Sequence, residues 1–209
     1  MVKLPAFSIL ERIARGAPMN VGVLALQGAV AEHIRSIESC GANGVVVKRT
    51  EQLDELDGLI IPGGESTTIG KLMRTYGFLD AIRDFSAKKK PIFGTCAGLI
   101  VLAERISGEE SAHLGLMDIT VARNAFGRQR ESFEIDLAMK DWDRPVRAVF
   151  IRAPIIESAG SEVDVLATYR DGIVAVRQEH LLGASFHPEL TDDNSMHAYF
   201  TEMIRQYSA

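Results

Sequence analysis

Gly94-Thr95-Cys96-Ala97-Gly98 follows the apolar stretch Pro91-Ile92-Phe93 and opens into Leu99-Ile100-Val101-Leu102-Ala103. This is the sequence form of a nucleophile elbow: a strand, a sharp turn carrying the nucleophile, then a helix. Glycines two residues to either side of Cys96 relieve crowding where strand and helix nearly touch. The cysteine is then set at a helix N-terminus, where partial positive charge favours thiolate over thiol. The bland alternative is a buried structural cysteine in a Gly-rich turn. Ser185-Phe186-His187-Pro188-Glu189, far downstream, decides between them.

A cysteine nucleophile needs a base, and the base needs an orienting group. His187 and Glu189 lie two apart after the apolar run Leu181-Leu182-Gly183-Ala184, which reads as a strand end. At period two their side chains share a face, so the carboxylate can hold the imidazole in one tautomer. A lone histidine is usually structural. A histidine, a same-face carboxylate and an elbow cysteine together favour catalysis.

Outward from the elbow, the chain alternates strands and helices. Residues 21–26 form a continuous apolar run, as expected of a strand buried on both faces. Val30, Ile34 and Ile37 then recur at helical spacing, with Glu32, His33, Arg35 and Glu38 expected outside and Gly41 as a stop. Residues 45–47 and 58–61 read as the second and third strands. Ser66 or Thr67 can cap a helix bearing Ile69, Leu72 and Met73, and residues 78–87 read as another. Beyond the elbow, strands are expected at 117–122, 132–137, 146–151, 163–168, 173–177 and 182–186, with Asp171-Gly172 as a hairpin turn. A last helix near 194–206 carries Met196, Phe200 and Met203 on one face, a core stripe. The pattern predicts an α/β fold, a three-layer sandwich around a central, mostly parallel sheet.

Composition narrows the function. The 209 residues are 46% hydrophobic and 24% charged, enough for one moderately large domain with a full core. A net charge of −5 argues against nucleic acid or an anionic membrane as the main partner. Two cysteines, Cys40 and Cys96, are too few for a disulfide framework, and no zinc spacing is present, so no metal is expected. A reducing, cytoplasmic setting is expected. No apolar run approaches the roughly 20 residues that span a bilayer. Residues 1–18 lack the long apolar core of a secretory signal and read as an extension or remnant preceding a domain over 19–209.

Ile61-Pro62-Gly63-Gly64-Glu65-Ser66-Thr67-Thr68 lies at the C-terminal end of a strand, where open α/β sheets place ligands. Its two glycines let backbone N–H groups approach a phosphate or an oxyanion. A P-loop fails on spacing, because Gly64 to Gly70 encloses five residues and Lys71 is followed by Leu72. Arg123 and the pair Ile151-Arg152 end two other strand candidates, and either arginine could clamp a carboxylate.

Taken together, Leu26-Gln27-Gly28, Pro62 to Thr68, the elbow, Arg123-Asn124-Ala125-Phe126-Gly127, Phe150-Ile151-Arg152-Ala153-Pro154 and Phe186-His187-Pro188-Glu189 closely resemble one family. It is the glutaminase subunits of pyridoxal 5′-phosphate synthases, within the triad glutamine amidotransferases. The elbow and the His-Pro-Glu run belong to the wider group. The Gly-Gly-Glu-Ser-Thr-Thr, Arg-Asn-x-Phe-Gly and Phe-Ile-Arg-Ala-Pro runs single out the subunit. The resemblance implies a glutamine amidotransferase-like fold and hydrolysis of L-glutamine to glutamate and ammonia. In it Cys96 is the nucleophile, His187 the base and then acid, and Glu189 its orienting group. Gly64, Glu65, Ser66, Arg123, Ile151 and Arg152 match glutamine-binding positions, and backbone N–H groups of Ala97 and the Gly63-Gly64 turn would hold the oxyanion. It implies no cofactor for this half-reaction, a synthase partner that consumes the ammonia, and activation by that partner. The rival readings are a cysteine peptidase or related hydrolase on the same scaffold, and a regulatory subunit with a vestigial elbow.

Overall fold

The parallel half of the sheet is built from short apolar strands, and all of them stop at one edge. In the computed structural model, which describes residues 19–123 and 132–207, β1 (Asn20–Leu24), β2 (Asn43–Val47), β3 (Gly58–Ile61), β4 (Ile92–Thr95) and β12 (Leu181–Ala184) lie in the order β2-β1-β3-β4-β12. Every pairing among these five is parallel. Their C-terminal ends deliver Gln27, Gly63-Gly64, Cys96 and His187 to the same side of the domain, the place where open α/β sheets bind ligands.

Beyond β12 the sheet changes character. It continues through β11 (Gly172–Gln178), β9 (Ile155–Ala159), β6 (Met117–Ala122) and β5 (Ala103–Ile106), and β10 (Asp164–Tyr169) also pairs with β11. Pairings from β12 to β6 are antiparallel and the last, β6 with β5, is parallel. Five of the nine pairings described are parallel, so the expected mostly parallel sheet is present in mixed form. A separate hairpin joins β7 (Phe133–Leu137) to β8 (Val146–Phe150).

Helices cover both faces, which gives the three layers. On one face Ile69 and Met73 of α2 (Ser66–Thr75), Phe78, Ile82 and Phe85 of α3 (Phe78–Ala87) and the whole of α4 (Ala97–Leu102) pack against Leu59, Ile61, Ile92 and Leu181. On the other, Ile37 of α1 (Val30–Ser39) and Met196, Phe200 and Met203 of α5 (Ser195–Tyr207) pack against Ile60, Phe93 and Leu182. Adjacent residues of one strand thus feed opposite cores, as period two requires.

The sequence expectations stand with shifted ends. The strand expected at 21–26 ends at Leu24, and that expected at 182–186 is Leu181–Ala184. The sequence reading contains neither strand β9 nor strand β5, which begins at the last residue of the apolar run after the elbow. The cap of α2 is neither Ser66 nor Thr67 but Glu65, whose carboxylate accepts from the backbone N–H groups of Thr67 and Thr68. Its side chain is long enough to reach both donors, while Ser66 is already inside the helix and buried. The suggested extension over 1–18 and the Asn124 to Gly127 part of the Arg-Asn-x-Phe-Gly run lie outside the described residues.

Candidate active site

The elbow has the geometry its sequence demands. Cys96 has φ 49° and ψ −106°, a backbone conformation that L side chains rarely adopt, immediately before α4. It is held there because its N–H donates to Ala184 of β12 at 2.8 Å, while Gly98 lies so close to β3 that a Cβ would overlap the Ile61 carbonyl. The strain aims the cysteine off the end of the sheet. Cys96 is 7% exposed, and Cys40, the other thiol, is distant in role: it is buried against α5 with its thiol pushed up to about 11 by burial.

His187 arrives beside Cys96 from the loop after β12. Its N–H donates to the Val149 carbonyl at 2.8 Å, fixing the loop against β8. Its Nδ1 lies 2.8 Å from Glu189 Oε1, so the expected histidine–carboxylate pair forms, with Glu189 in the short 3-10 turn Pro188–Leu190. Glu189 is buried and the His187 side chain is 13% exposed. Burial alone would lower the imidazole pKa, but hydrogen bonds with Cys96 and Glu189 outweigh it and push it up to about 10. An imidazole this basic can accept the thiol proton and then present an acid to a leaving group.

The Gly-rich turn faces this pair directly. A Cβ on Gly63 would lie 2.5 Å from His187 Cε1 and 3.3 Å from Cys96 Cβ, so only glycine fits. Gly64 has φ 144°, and the turn is braced by Gln27, whose Oε1 accepts from the Glu65 N–H at 2.7 Å. Gln27-Gly28, singled out as a run by sequence, is therefore in physical contact with the turn. Glu65 itself is exposed, and hydrogen bonds from Thr67 and Thr68 draw its carboxyl down to about 2. It stays ionised at the mouth of the site.

The remaining sequence candidates flank this centre. Arg123 ends β6, and its Nη2 lies 2.6 Å from Glu109 Oε1, while its buried Nε has no hydrogen-bond partner among the described residues. His113 packs on Gly70 of α2 and has its pKa lowered, chiefly by burial, with Arg123, Glu109, Arg74 and Glu65 all acting on it. Arg123 and Glu65 thus share one neighbourhood. Ile151 and Arg152 follow β8, two and three residues beyond the carbonyl that His187 binds. Arg152 is exposed with φ 45°. Among the described residues no cluster of three or more His, Cys, Asp or Glu could hold a metal ion.

Sequence reasoning missed two histidines. His33, expected on the outer face of α1, is fully buried, and so is His197 of α5. His33 Nδ1 and His197 Nε2 are 2.9 Å apart, and His33 Nε2 lies 3.5 Å from Glu189 Oε2. The signal was present: residue 33 is three after Val30 and four before Ile37, so it belongs to the apolar stripe. Likewise residue 197 lies three before Phe200. A polar side chain at a core position was taken for part of the solvated face.

An elbow cysteine, a histidine–carboxylate pair and a Gly-rich turn lie together on the C-terminal edge of this sheet, the arrangement that a triad amidotransferase-type site requires. The family model described as SNO glutamine amidotransferase family matches residues 23–206, and the chain belongs to that family. Among its relatives is pyridoxal 5′-phosphate synthase subunit PdxT of Niallia circulans, 75% identical over 188 residues, covering 90% of this chain and 99% of that protein. The subunit of the same name from Anoxybacillus flavithermus is 61% identical, covering 90% of this chain and 98% of that protein. A crystal structure of a glutamine amidotransferase superposes with a TM-score of 0.84 at 48% identity, covering 88% of this chain and 98% of the other.

Proposed function

We propose that the chain hydrolyses the side-chain amide of L-glutamine through a thioester on Cys96, and hands the ammonia to a pyridoxal 5′-phosphate synthase partner. Its family membership makes it a glutamine amidotransferase of vitamin B6 biosynthesis. The observation that carries the mechanism is the strained Cys96 beside a His187 whose Nδ1 is held by Glu189. His187 takes the thiol proton as sulfur bonds to the amide carbon, then gives a proton to nitrogen as the C–N bond breaks and ammonia leaves. Water then attacks the thioester carbon, losing a proton to His187. The C–S bond breaks, and sulfur recovers that proton as glutamate departs. Backbone N–H groups of Ala97 and of the Gly63-Gly64 turn would carry the negative charge of each tetrahedral intermediate.

In this reading Gly64, Glu65, Ser66, Arg123, Ile151 and Arg152 bind glutamine. Glu65, held ionised by its threonines, suits the α-ammonium. Arg123, whose Nε has no hydrogen-bond partner among the described residues, suits the α-carboxylate. The glutaminase unit is residues 19–209, in keeping with the match over 23–206. Among the described residues no helix is long and apolar enough to cross a membrane, which is compatible with a cytoplasmic setting. The partner activates the chain by acting on the Gly63-Gly64 turn through Gln27, because a peptide flip there makes or removes one oxyanion donor, worth roughly 10²–10³ in rate. The test is steady-state ammonia release from glutamine with and without a saturating synthase partner. Activity dependent on Cys96 and raised by the partner is expected. Ammonia release that survives Cys96→Ala would overturn the mechanism, and equal rates with and without partner would overturn activation.

A further inference from the structure

Glu189 gives only one of its oxygens to His187. The other, Oε2, is fully buried, makes no well-formed hydrogen bond among the described residues, and faces His33 Nε2 at 3.5 Å. His33 Nε2 also lies 3.3 Å from Thr95 Oγ1, on the residue before the nucleophile, and its Nδ1 meets His197 Nε2 at 2.9 Å. Strand β4 and helix α5 therefore meet α1 at His33, which in turn faces the carboxylate. We propose that His33, set in one tautomer by His197, is a positioning residue whose neutral Nε2–H holds the second oxygen of Glu189, so that the first stays aimed at His187. This rests on the triad reading above.

The tautomer follows from the neighbours. If His33 carried its proton on Nδ1, its bare Nε2 could accept from the Thr95 hydroxyl but would still turn a lone pair toward the Glu189 oxygen and leave that oxygen without a donor. His197 would then accept at Nε2 and leave an Nδ1–H buried without a partner. With the proton on His33 Nε2, that N–H faces Glu189 and His33 Nδ1 accepts from His197 Nε2–H. Only one lone pair, on His197 Nδ1, is left bare, the smaller cost. Both rings are neutral: burial, with His197 and His187 nearby, pulls His33 well below the usual range, and burial takes His197 to about 4. Neutrality matters to the chemistry. A cation at residue 33 would compete with His187 for the Glu189 charge and lower the basicity that His187 needs, whereas a neutral donor orients the carboxylate and leaves its charge to His187.

Three variants at one position test this. Asn places its amide where Nδ1 sits and cannot reach Glu189, Gln extends an N–H to the Nε2 position, and Leu fills space without a donor. In the complex with a synthase partner, His33→Leu and His33→Asn should lower kcat for ammonia release by roughly tenfold to a hundredfold, the range typical when a partner behind a functional histidine is lost. KM for glutamine should stay put, and His33→Gln should recover most of the loss. An NMR titration of the His187 ring is the second readout. Its midpoint should fall in the Leu and Asn variants and return in Gln. If His33→Leu does not fold, the Asn–Gln pair decides. Equal losses in Asn and Gln, an unmoved His187 titration, or wild-type kcat in Asn would each overturn the proposal. If the unmodified complex releases no ammonia, the glutaminase reading fails, and the His187 titration still decides the positioning role on its own.

Discussion

His187 and the His33–His197 pair sit on opposite sides of one carboxylate and are driven in opposite directions. His187, beside the sheet edge with Cys96 and Glu189 as partners, is pushed up to about 10, while His197, wholly enclosed and bonded to another imidazole, falls to about 4. Residue type sets neither value. What differs is whether a negative or hydrogen-bond-accepting partner outweighs burial. The imidazole on one side of Glu189 is arranged to carry charge and those on the other to avoid it.

Breaking the charged side should have the largest effect. Cys96→Ala and His187→Asn should each remove glutamine hydrolysis, with losses on the order of 10⁶ in kcat, because triad members act as a unit. Thermal unfolding and partner binding should change little. Near-normal turnover in His187→Asn would require a different base and dissolve the contrast between the two sides.

Glu189→Gln sharpens the comparison, since an amide must choose between its neighbours. If its NH₂ faces His187, the ring must accept at Nδ1 and keep its proton on Nε2, where it can no longer take one from Cys96. If its oxygen faces His187 instead, the NH₂ meets His33 Nε2, and the buried pair must change tautomer and leave an N–H without a partner. Either way kcat should drop, by up to roughly 10⁴ as when the orienting carboxylate of a triad becomes an amide. A loss below tenfold would mean that Glu189 does not set the tautomer.

How far the sequence reached follows the same division. The elbow, the His-Pro-Glu run and the Gly-Gly turn are local: each is a few residues whose spacing fixes its own geometry, and Cys96 and His187 meet because β4 and β12 are parallel neighbours. Strands 58–61 and 117–122 were placed to the residue for the same reason, as bounded apolar runs. Strand β9 was missed because Ile155-Ile156-Glu157-Ser158-Ala159 has little alternation, and its place comes from pairing with β6 and β11. The buried pair was illegible as a pair because residues 33 and 197 are 164 apart in sequence and meet only once α1 and α5 pack on the same face. Glu65 as cap was missed because the common capping types, Ser66 and Thr67, stood next to it.

Gly63 tests how tightly the charged side is fitted. In Gly63→Ala the new methyl meets the His187 ring at Cε1, so either the ring or the turn must move. Displacing the turn removes one proposed oxyanion donor, and kcat should fall by roughly 10²–10³. The KM for glutamine should change less, because the loss falls on the transition state. An unchanged kcat would separate this turn from the reacting centre.

The smallest effect, and the one that reads both sides at once, is the pH dependence of stability. An ordinary histidine titrates near 6.5, and His187 in the folded chain near 10. Between those values the native state holds a proton that the unfolded state has released. The stabilisation is complete below about 6.5 and is lost as pH rises to about 10. His197 has the opposite sign: from about 6.5 down to about 4 the unfolded chain binds a proton that the native state refuses, so stability is lost as pH falls. Thermal unfolding followed from pH 4 to pH 10 should therefore show two sloping limbs, with a change of about 1 kcal/mol moving Tm by roughly 2–4 °C in a domain of this size. His187→Asn should reduce only the alkaline limb, to which Cys40 also contributes, and His197→Asn only the acid one, to which His33, His113 and His180 contribute as well. If His197→Asn left the acid limb unchanged, the buried pair would already be charged in the native state, and the neutral donor behind Glu189 would have to be abandoned.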